Sequence, residues 1–363
     1  MSETALFTEC LCAEAAACGA ALQPQDVLKL CYQAAYGAEH LLTDLPAAKR
    51  YFEEEYAAAP PRQEPLCTRI GPAQYRVGLA GWKQAGLPGE WLWRMFAASA
   101  ADAAAGPGGP ALEEYLSAAA QQARAGQLPF NGAAWQNAVD GWRAAGGKPV
   151  HHSGLYRAAR RPAYRVVCAR YARLVPLLER MAQLEHSRGA AGPAGRALVA
   201  AIDGRSAAGK TTMARQLAQI VGAGVVHMDD FFLPPELRTP ERYAQPGGNV
   251  HYERFAAEVL PQLAGQAAFT YRRFDCGRMA LGGQQTVQAG GWRIVEGAYS
   301  CHPRLGGYMD LRVFADVAPA EQLRRITARN GEAQAERFAR QWIPLEEAYL
   351  AAYDIPARAD ITL

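Results

Sequence analysis

The stretch "GRSAAGKTT", Gly204 to Thr212, sets two glycines, a lysine and two threonines at the spacing GxxxxGK[ST] with no mismatch. Small residues let a backbone curl until successive N–H groups point inward, and such a concave row of donors holds an anion. A lysine closing the loop reaches the outer phosphates of a nucleotide, and the following hydroxyl suits a hard cation. The expected phosphate-binding residues are Gly204, Ser206, Ala207, Ala208, Gly209, Lys210, Thr211 and Thr212, with Thr211 also a metal ligand. ATP and Mg²⁺ are the expected cofactors. A chance glycine-rich turn is the plain alternative, and the flanks argue against it. The apolar run "ALVAAID" enters as a buried strand would, and "MARQLAQIV" leaves as a helix whose first turn adds positive partial charge.

Three further groups bear on the same chemistry. Asp229 and Asp230 end the run "VVHMDD". Carboxylates there sit at the C-terminal edge of a parallel sheet, where ligands of such folds bind. One of them can take a proton from a substrate hydroxyl or organise Mg²⁺ through water, whereas the plain reading is an acidic cap on a solvated turn. Glu296 follows the apolar "WRIV" and precedes Gly297, in reach of a metal or its waters. Arg325 and Arg329 lie four apart in "EQLRRITARN" and share a helix face, with Arg337 and Arg340 beyond. A solvated basic face is the ordinary explanation of such a run. Beside a triphosphate the same guanidiniums clamp the transferring oxygens.

Elements must hold these groups in place. "ALVAAID", "GVVHMDD", "WRIVEG" and "LRVFADV" are short, β-branched and end in an acid or glycine, with helical segments between them. That alternation predicts a parallel sheet covered by helices over residues 196–363. Residues 1–186 read instead as an all-α domain, alanine-rich runs broken at "LQPQD", "APPRQEP" and "GPGGP". Within it Asp26 is the expected N-cap of "VLKLCYQAAYGAEHLL", and "PAYRVVCARYARLVPLLERMAQLEH" is expected to be one long helix. The small-residue run 187–195, "SRGAAGPAG", is the expected linker.

In this order the pieces resemble the uridine kinase and phosphoribulokinase family of P-loop kinases, over about residues 196–363. That family has a P-loop after its first strand, a "DSFY"-like segment after the second, an "EG" after a later strand and an arginine-rich lid. The resemblance implies that Lys210 and Thr211 bind phosphate and Mg²⁺, that Asp229 is the catalytic acid, also close to the metal, and that Glu296 is the metal-associated glutamate. It makes Arg325 and Arg329 the start of the lid, and makes "WIPLEEAYLAAYDIPARADITL" the last helix and edge strand. Asp230, His251, Tyr271 and Arg278 are the residues it places near the substrate. The departures concern that substrate. "YRRFDCGR" has Cys276 where uridine kinases carry a histidine near the base, Phe232 replaces the tyrosine of "DSFY", and His251 stands where an aspartate meets ribose hydroxyls. The lid's Arg-Asp becomes Arg329-Asn330. Phosphotransfer thus survives the comparison better than uridine does.

The polar residues of the first half that stand out are Glu39, His40, Arg69, Tyr75, Arg76, His151, His152, Tyr156, Arg157 and Arg165. As a ligand site they suit an anionic or polyhydroxylated molecule; otherwise the two histidines lie in a loop before a helix capped by Ser153. The eight cysteines, among them Cys10, Cys12 and Cys18, lack zinc spacing. A formal charge of +3 without a dense basic cluster gives no footprint for nucleic acid. With no run of about 18 uninterrupted apolar residues and no basic-then-apolar start, the expectations are no membrane and a cytoplasmic protein. The expected partner is a small-molecule hydroxyl acceptor, with homo-oligomerisation left open. The chemistry expected is ATP-dependent phosphotransfer to that hydroxyl. The rival is a nucleotide-gated switch whose helical half senses or binds a partner.

Overall fold

The computed structural model describes residues 2–38, 44–102, 108–189 and 195–363. The chain divides into two compact units, Met1–Ala182 and Gln183–Leu363. The division falls inside the helix Val175–Gly189, so residues 187–189 of the expected linker are helical, and residues 190–194 of it lie outside the described residues.

The first unit is mainly helical, with long helices at Glu3–Cys18, Pro24–Tyr36, Leu45–Ala58, Gly89–Ala101, Gly108–Arg124 and Gly132–Ala144. Glu3–Ala21 is long and apolar enough to cross a membrane by length and composition; its Phe7 stacks on Tyr115, and Phe7 and Leu11 are fully buried in the unit. The all-α expectation needs one amendment. Strands β1 (Cys67–Arg69), β2 (Gln74–Gly78) and β3 (Tyr164–Cys168) form an antiparallel sheet in that order. The expected long helix from Pro162 is therefore corrected. Val166 and Val167, β-branched and buried, pair across to Arg76 and Tyr75, and helix resumes only at Ala169–Ala172 and Val175–Gly189.

Asp26 is also corrected. Gln23 is the N-cap and Pro24 opens the helix, while Asp26 sits at the third position and accepts from the Gln23 N–H at 3.0 Å. Its other bonds run to the backbone and hydroxyl of Ser153, at 2.9 and 2.7 Å, and to His152 Nδ1 at 3.0 Å. His152 Nε2 meets the Tyr164 hydroxyl at 2.7 Å, Arg76 donates to Gln33 and Glu14, and Tyr156 donates to Glu14. These side chains satisfy one another in the interior of the unit. Ser153 caps the helix Gly154–Arg160 as expected, accepting from Tyr156 N. Arg165 pairs with Glu55 at 2.5 Å, Arg69 donates to the Gly71 and Pro72 carbonyls, and His151 and Arg157 are exposed. Glu39 and His40 lie outside the described residues.

In the second unit β4 (Leu198–Gly204), β5 (Gly224–His227), β8 (Trp292–Glu296), β9 (Leu311–Ala315) and β10 (Ile361–Thr362) form a parallel sheet ordered β10-β9-β4-β8-β5. Strands β6 (Phe269–Asp275) and β7 (Ala280–Val287) pair as a separate antiparallel hairpin. The four apolar runs read from sequence are the four long strands of the sheet. All of β4 is buried, as continuous apolar runs in parallel sheets are. Because β8 and β9 flank β4 on opposite sides, the loop leaving β4 opens where the strand order reverses, the place such sheets reserve for ligands.

Candidate active site

Gly204 ends β4 with φ +138°, and a Cβ there would lie 2.0 Å from the Ala315 carbonyl oxygen, so the loop leaves the sheet where only glycine fits. Ala207 takes a left-handed conformation at φ +59°, and Gly209 at φ +92° precedes the helix Lys210–Val221. The base of the loop is tied down by Asp203, fully buried at the end of β4. It accepts from Gly204 N (2.7 Å), Tyr299 N (3.0 Å), Cys301 N (2.9 Å) and the Tyr349 hydroxyl (2.7 Å). Burial pushes its carboxyl upward and these bonds pull it back.

The loop opens on a cavity of about 580 Å³ whose wall includes Lys210, Thr211, Asp229, Glu296, Arg325 and Arg329. Lys210 Nζ spans the loop to the Gly204 and Arg205 carbonyls at 2.8 and 2.9 Å. The Thr211 hydroxyl lies 3.1–3.2 Å from both oxygens of Glu296, which His227 Nδ1 also meets at 2.5 Å. That bond to Glu296 outweighs burial and holds the His227 imidazole above its usual pKa. Asp229 follows β5 in a short 3₁₀ turn and is exposed on the cavity wall. Burial first, and then the Glu296 and Asp230 charges, raise its carboxyl above the ordinary range, while Lys210 opposes them.

Arg325 donates to Glu321 at 2.7 Å and to the Ala207 carbonyl at 3.1 Å, so the helix Pro319–Asn330 rests on the phosphate loop. Arg329 bonds Asn330 at 2.7 Å, and Arg337 joins them on the wall. Arg340 does not line it and pairs with Glu336. Among the loop residues Ser206, Ala207, Gly209, Lys210, Thr211 and Thr212 line the cavity, while Gly204 and Ala208 shape the turn behind it.

The residues placed near the substrate by resemblance are elsewhere. Asp230 is buried and spent on the Tyr271 hydroxyl (2.8 Å) and Arg273 (3.2 Å), which also removes Tyr271. His251 accepts from Arg254 N at 2.9 Å as the cap of the helix Tyr252–Glu258. Arg278 is exposed near the tip of the β6–β7 hairpin. None of the four lines the cavity.

Other residues take part that sequence reading passed over. Glu346, buried in the last long helix, accepts from the backbone N–H of Ser206 at 2.9 Å and from its hydroxyl. Glu347 holds Arg205 at 2.7 Å. Arg238, Tyr243, Asn249, Met279 and Tyr299 also line the cavity, as do Phe232 and Cys276, two of the departures noted in the sequence. Adjacent glutamates in a largely apolar helix carry no signal of a partner, and Asn249 reads as a turn residue.

No model of a protein family matches the chain, and no curated protein matches it. Solved structures do. One described as a possible uridine kinase from Bacillus stearothermophilus is 24% identical with a TM-score of 0.35, covering 52% of this chain and 99% of its own. A candidate fructose transport system kinase from Silicibacter sp. TM1040 is 24% identical, TM-score 0.39, covering 50% and 96%. A D-glycerate 3-kinase from Cryptococcus neoformans var. grubii is 15% identical, TM-score 0.37, covering 50% and 88%.

Proposed function

We propose that the chain transfers the γ-phosphate of ATP to a hydroxyl group of a small molecule. The observation that carries this reading is the convergence of Lys210, Thr211, Asp229, Glu296 and the arginines of the Pro319–Asn330 helix on one cavity. Backbone N–H groups of the loop and the Lys210 ammonium hold the β- and γ-phosphates. Among the described residues no cluster of three metal-ligating side chains stands ready. Mg²⁺ in kinases needs less, because phosphate oxygens and water fill most of its shell. The Thr211 hydroxyl beside the Glu296 carboxylate offers the hard oxygen donors it prefers, with Asp229 opening into the same cavity. When bound, the ion neutralises charge on the β- and γ-oxygens.

Asp229 orients the acceptor hydroxyl and takes its proton as the oxygen attacks γ-phosphorus. The new O–P bond forms as the bond from γ-phosphorus to the β,γ-bridging oxygen breaks, and ADP departs. The Glu296 and Asp230 charges beside it help hold the carboxyl above its ordinary range, closer to the proton it takes. Arg325 and Arg329 offset charge on the transferring oxygens.

Phosphorus NMR of ATP·Mg²⁺ with the protein and a mixture of hydroxyl metabolites tests the reading. A phosphate-ester signal growing in step with ADP is expected. Slow release of inorganic phosphate alone, whatever acceptor is supplied, would mark a nucleotide-gated switch instead.

A further inference from the structure

A carboxylate of the protein grips the phosphate loop from the cavity side. Glu346 is 7% exposed, lines the cavity, and accepts from the Ser206 N–H at 2.9 Å and from the Ser206 hydroxyl. Ser206 is the third residue of the loop, and its neighbours bond differently. Arg205 N donates to the Ala315 carbonyl and Ala208 N to the Arg205 carbonyl, both at 3.2 Å, so backbone meets backbone there. The Ser206 donors meet a side chain instead, which a change of rotamer can withdraw. Two hydrogen bonds to one carboxylate are charge-assisted, so the grip is firm. Burial pushes the Glu346 carboxyl up, while the Lys210 charge and the bonds from Ser206 pull it back. Lys210 itself turns its Nζ onto the Gly204 and Arg205 carbonyls.

The segment that carries Glu346 also faces the cavity. A π-helical turn, Phe338–Trp342, leads into the helix Ile343–Ala352, with Pro344 in its first turn. A turn of that width interrupts the regular ladder of bonds, and Pro344 donates no backbone bond at the junction. Phe338 and Trp342 line the same cavity as Glu346. Further along, the helix is anchored, since the Tyr349 hydroxyl donates to Asp203 at 2.7 Å. The two adjacent glutamates therefore differ in kind. Glu347 lies off the cavity wall and holds Arg205 at 2.7 Å, whereas Glu346 takes loop donors on the wall itself.

We propose that Glu346 is a built-in competitor of the nucleotide. Its carboxylate holds the Ser206 donors and sets a negative charge beside the loop, so the phosphates of ATP bind as that side chain swings away. The inference rests on the phosphate-holding part of the reading above and adds regulation of that site to it. Like charges close together in a partly desolvated cavity repel strongly, so Glu346 on Ser206 and phosphates on the loop exclude one another. Apparent affinity is then lowered by the fraction of molecules in which the loop is free of the carboxylate.

Calorimetric binding of ATP·Mg²⁺ and of pyrophosphate·Mg²⁺ to the full chain tests this. Glu346→Gln keeps the size of the side chain and removes its charge. In this variant, shown by its melting curve to be folded, both ligands should bind about 10-fold or more tighter than to the wild type. A gain for ATP alone would put the effect at the base rather than the phosphates and would overturn the inference. Unchanged or weaker binding would overturn it too, the weaker case marking Glu346 as a brace for the loop. Glu347→Gln is the control and should stay within about 3-fold of the wild type, because its exposed charge is screened. An equal gain there would reduce the effect to overall charge and remove the role of Glu346. Should Glu346→Gln fail to fold, Glu346→Ala is measured in its place against the same outcomes. Tighter binding by the variant without phosphoryl transfer would end the kinase reading and leave this inference standing. Binding of neither ligand, by wild type and variant alike, would remove the phosphate-loop reading and this one with it.

Discussion

Asp229 and Asp230 are adjacent in sequence and opposite in fate. One opens into the cavity; the other is buried against Tyr271 and Arg273. Asp230→Asn should therefore cost roughly 1–2 kcal/mol of stability, read from urea denaturation, and change transfer less than about 10-fold. Lys210→Ala removes the ammonium and leaves the backbone cradle, so kcat under saturating ATP should fall by roughly 10²–10³ with a nearly unchanged melting curve. The sequence reading gathered the phosphate loop, Glu296 and the arginine pair into one site from residue types and spacing, and residues of all three line one cavity. Glu346 was not foreseen, since its bonds to Ser206 depend on a helix brought to the loop only by folding. His251 and Tyr271 were misplaced for the same reason. A cap and a buried hydroxyl bond consume the groups that a linear comparison leaves free.

At the scale of elements, the turn from β4 into the phosphate loop sets the site. Gly204→Ala would drive a Cβ to 2.0 Å from the Ala315 carbonyl oxygen, and backbone on both sides leaves no side chain to yield. Differential scanning calorimetry should show a loss of about 3 kcal/mol or more. Gly209→Ala meets no atom within 4 Å and strains only its φ of +92°, so about 1–2 kcal/mol is expected. Four strands of the parallel sheet were readable as buried apolar runs. Strand β3 was not, because "RVVC" is too short for its period to be told from a helical run, and helix follows it directly. What decides it is pairing with β2, which lies some 90 residues earlier in the chain.

At the scale of the whole chain, each unit makes its own prediction. In the first, burial opposes ionisation of Asp26, but its bonds to His152 and Ser153 win and hold the carboxyl below its usual range. Glu14 behaves likewise, with burial outweighed by Arg76 and Tyr156. Groups with depressed folded pKa values contribute stability present above the ordinary carboxylate value, about pH 4, and lost as pH falls through the folded values. The urea midpoint of the fragment 1–182 should accordingly drop on acidification below about pH 4, and Asp26→Asn should flatten that drop. In the second unit, Glu185 accepts from Trp292 Nε1 at 2.7 Å and Arg188 pairs with Asp310, both from the end of the Val175–Gly189 helix. A fragment 183–363 should bind ATP·Mg²⁺ by calorimetry and be more stable than 192–363 by about 1–3 kcal/mol. A folded 183–363 fragment that binds no nucleotide would mean the first unit completes the site.

The central claim is that Asp229 is the base of a phosphotransferase, and single-turnover transfer by Asp229→Asn tests it most directly. The substitution keeps size and hydrogen bonding and removes the charge. With ATP·Mg²⁺ affinity followed by calorimetry and the phosphorylated acceptor by mass spectrometry, affinity should change little while transfer falls by roughly 10²–10⁴. Transfer at the wild-type rate by the folded variant would contradict the account.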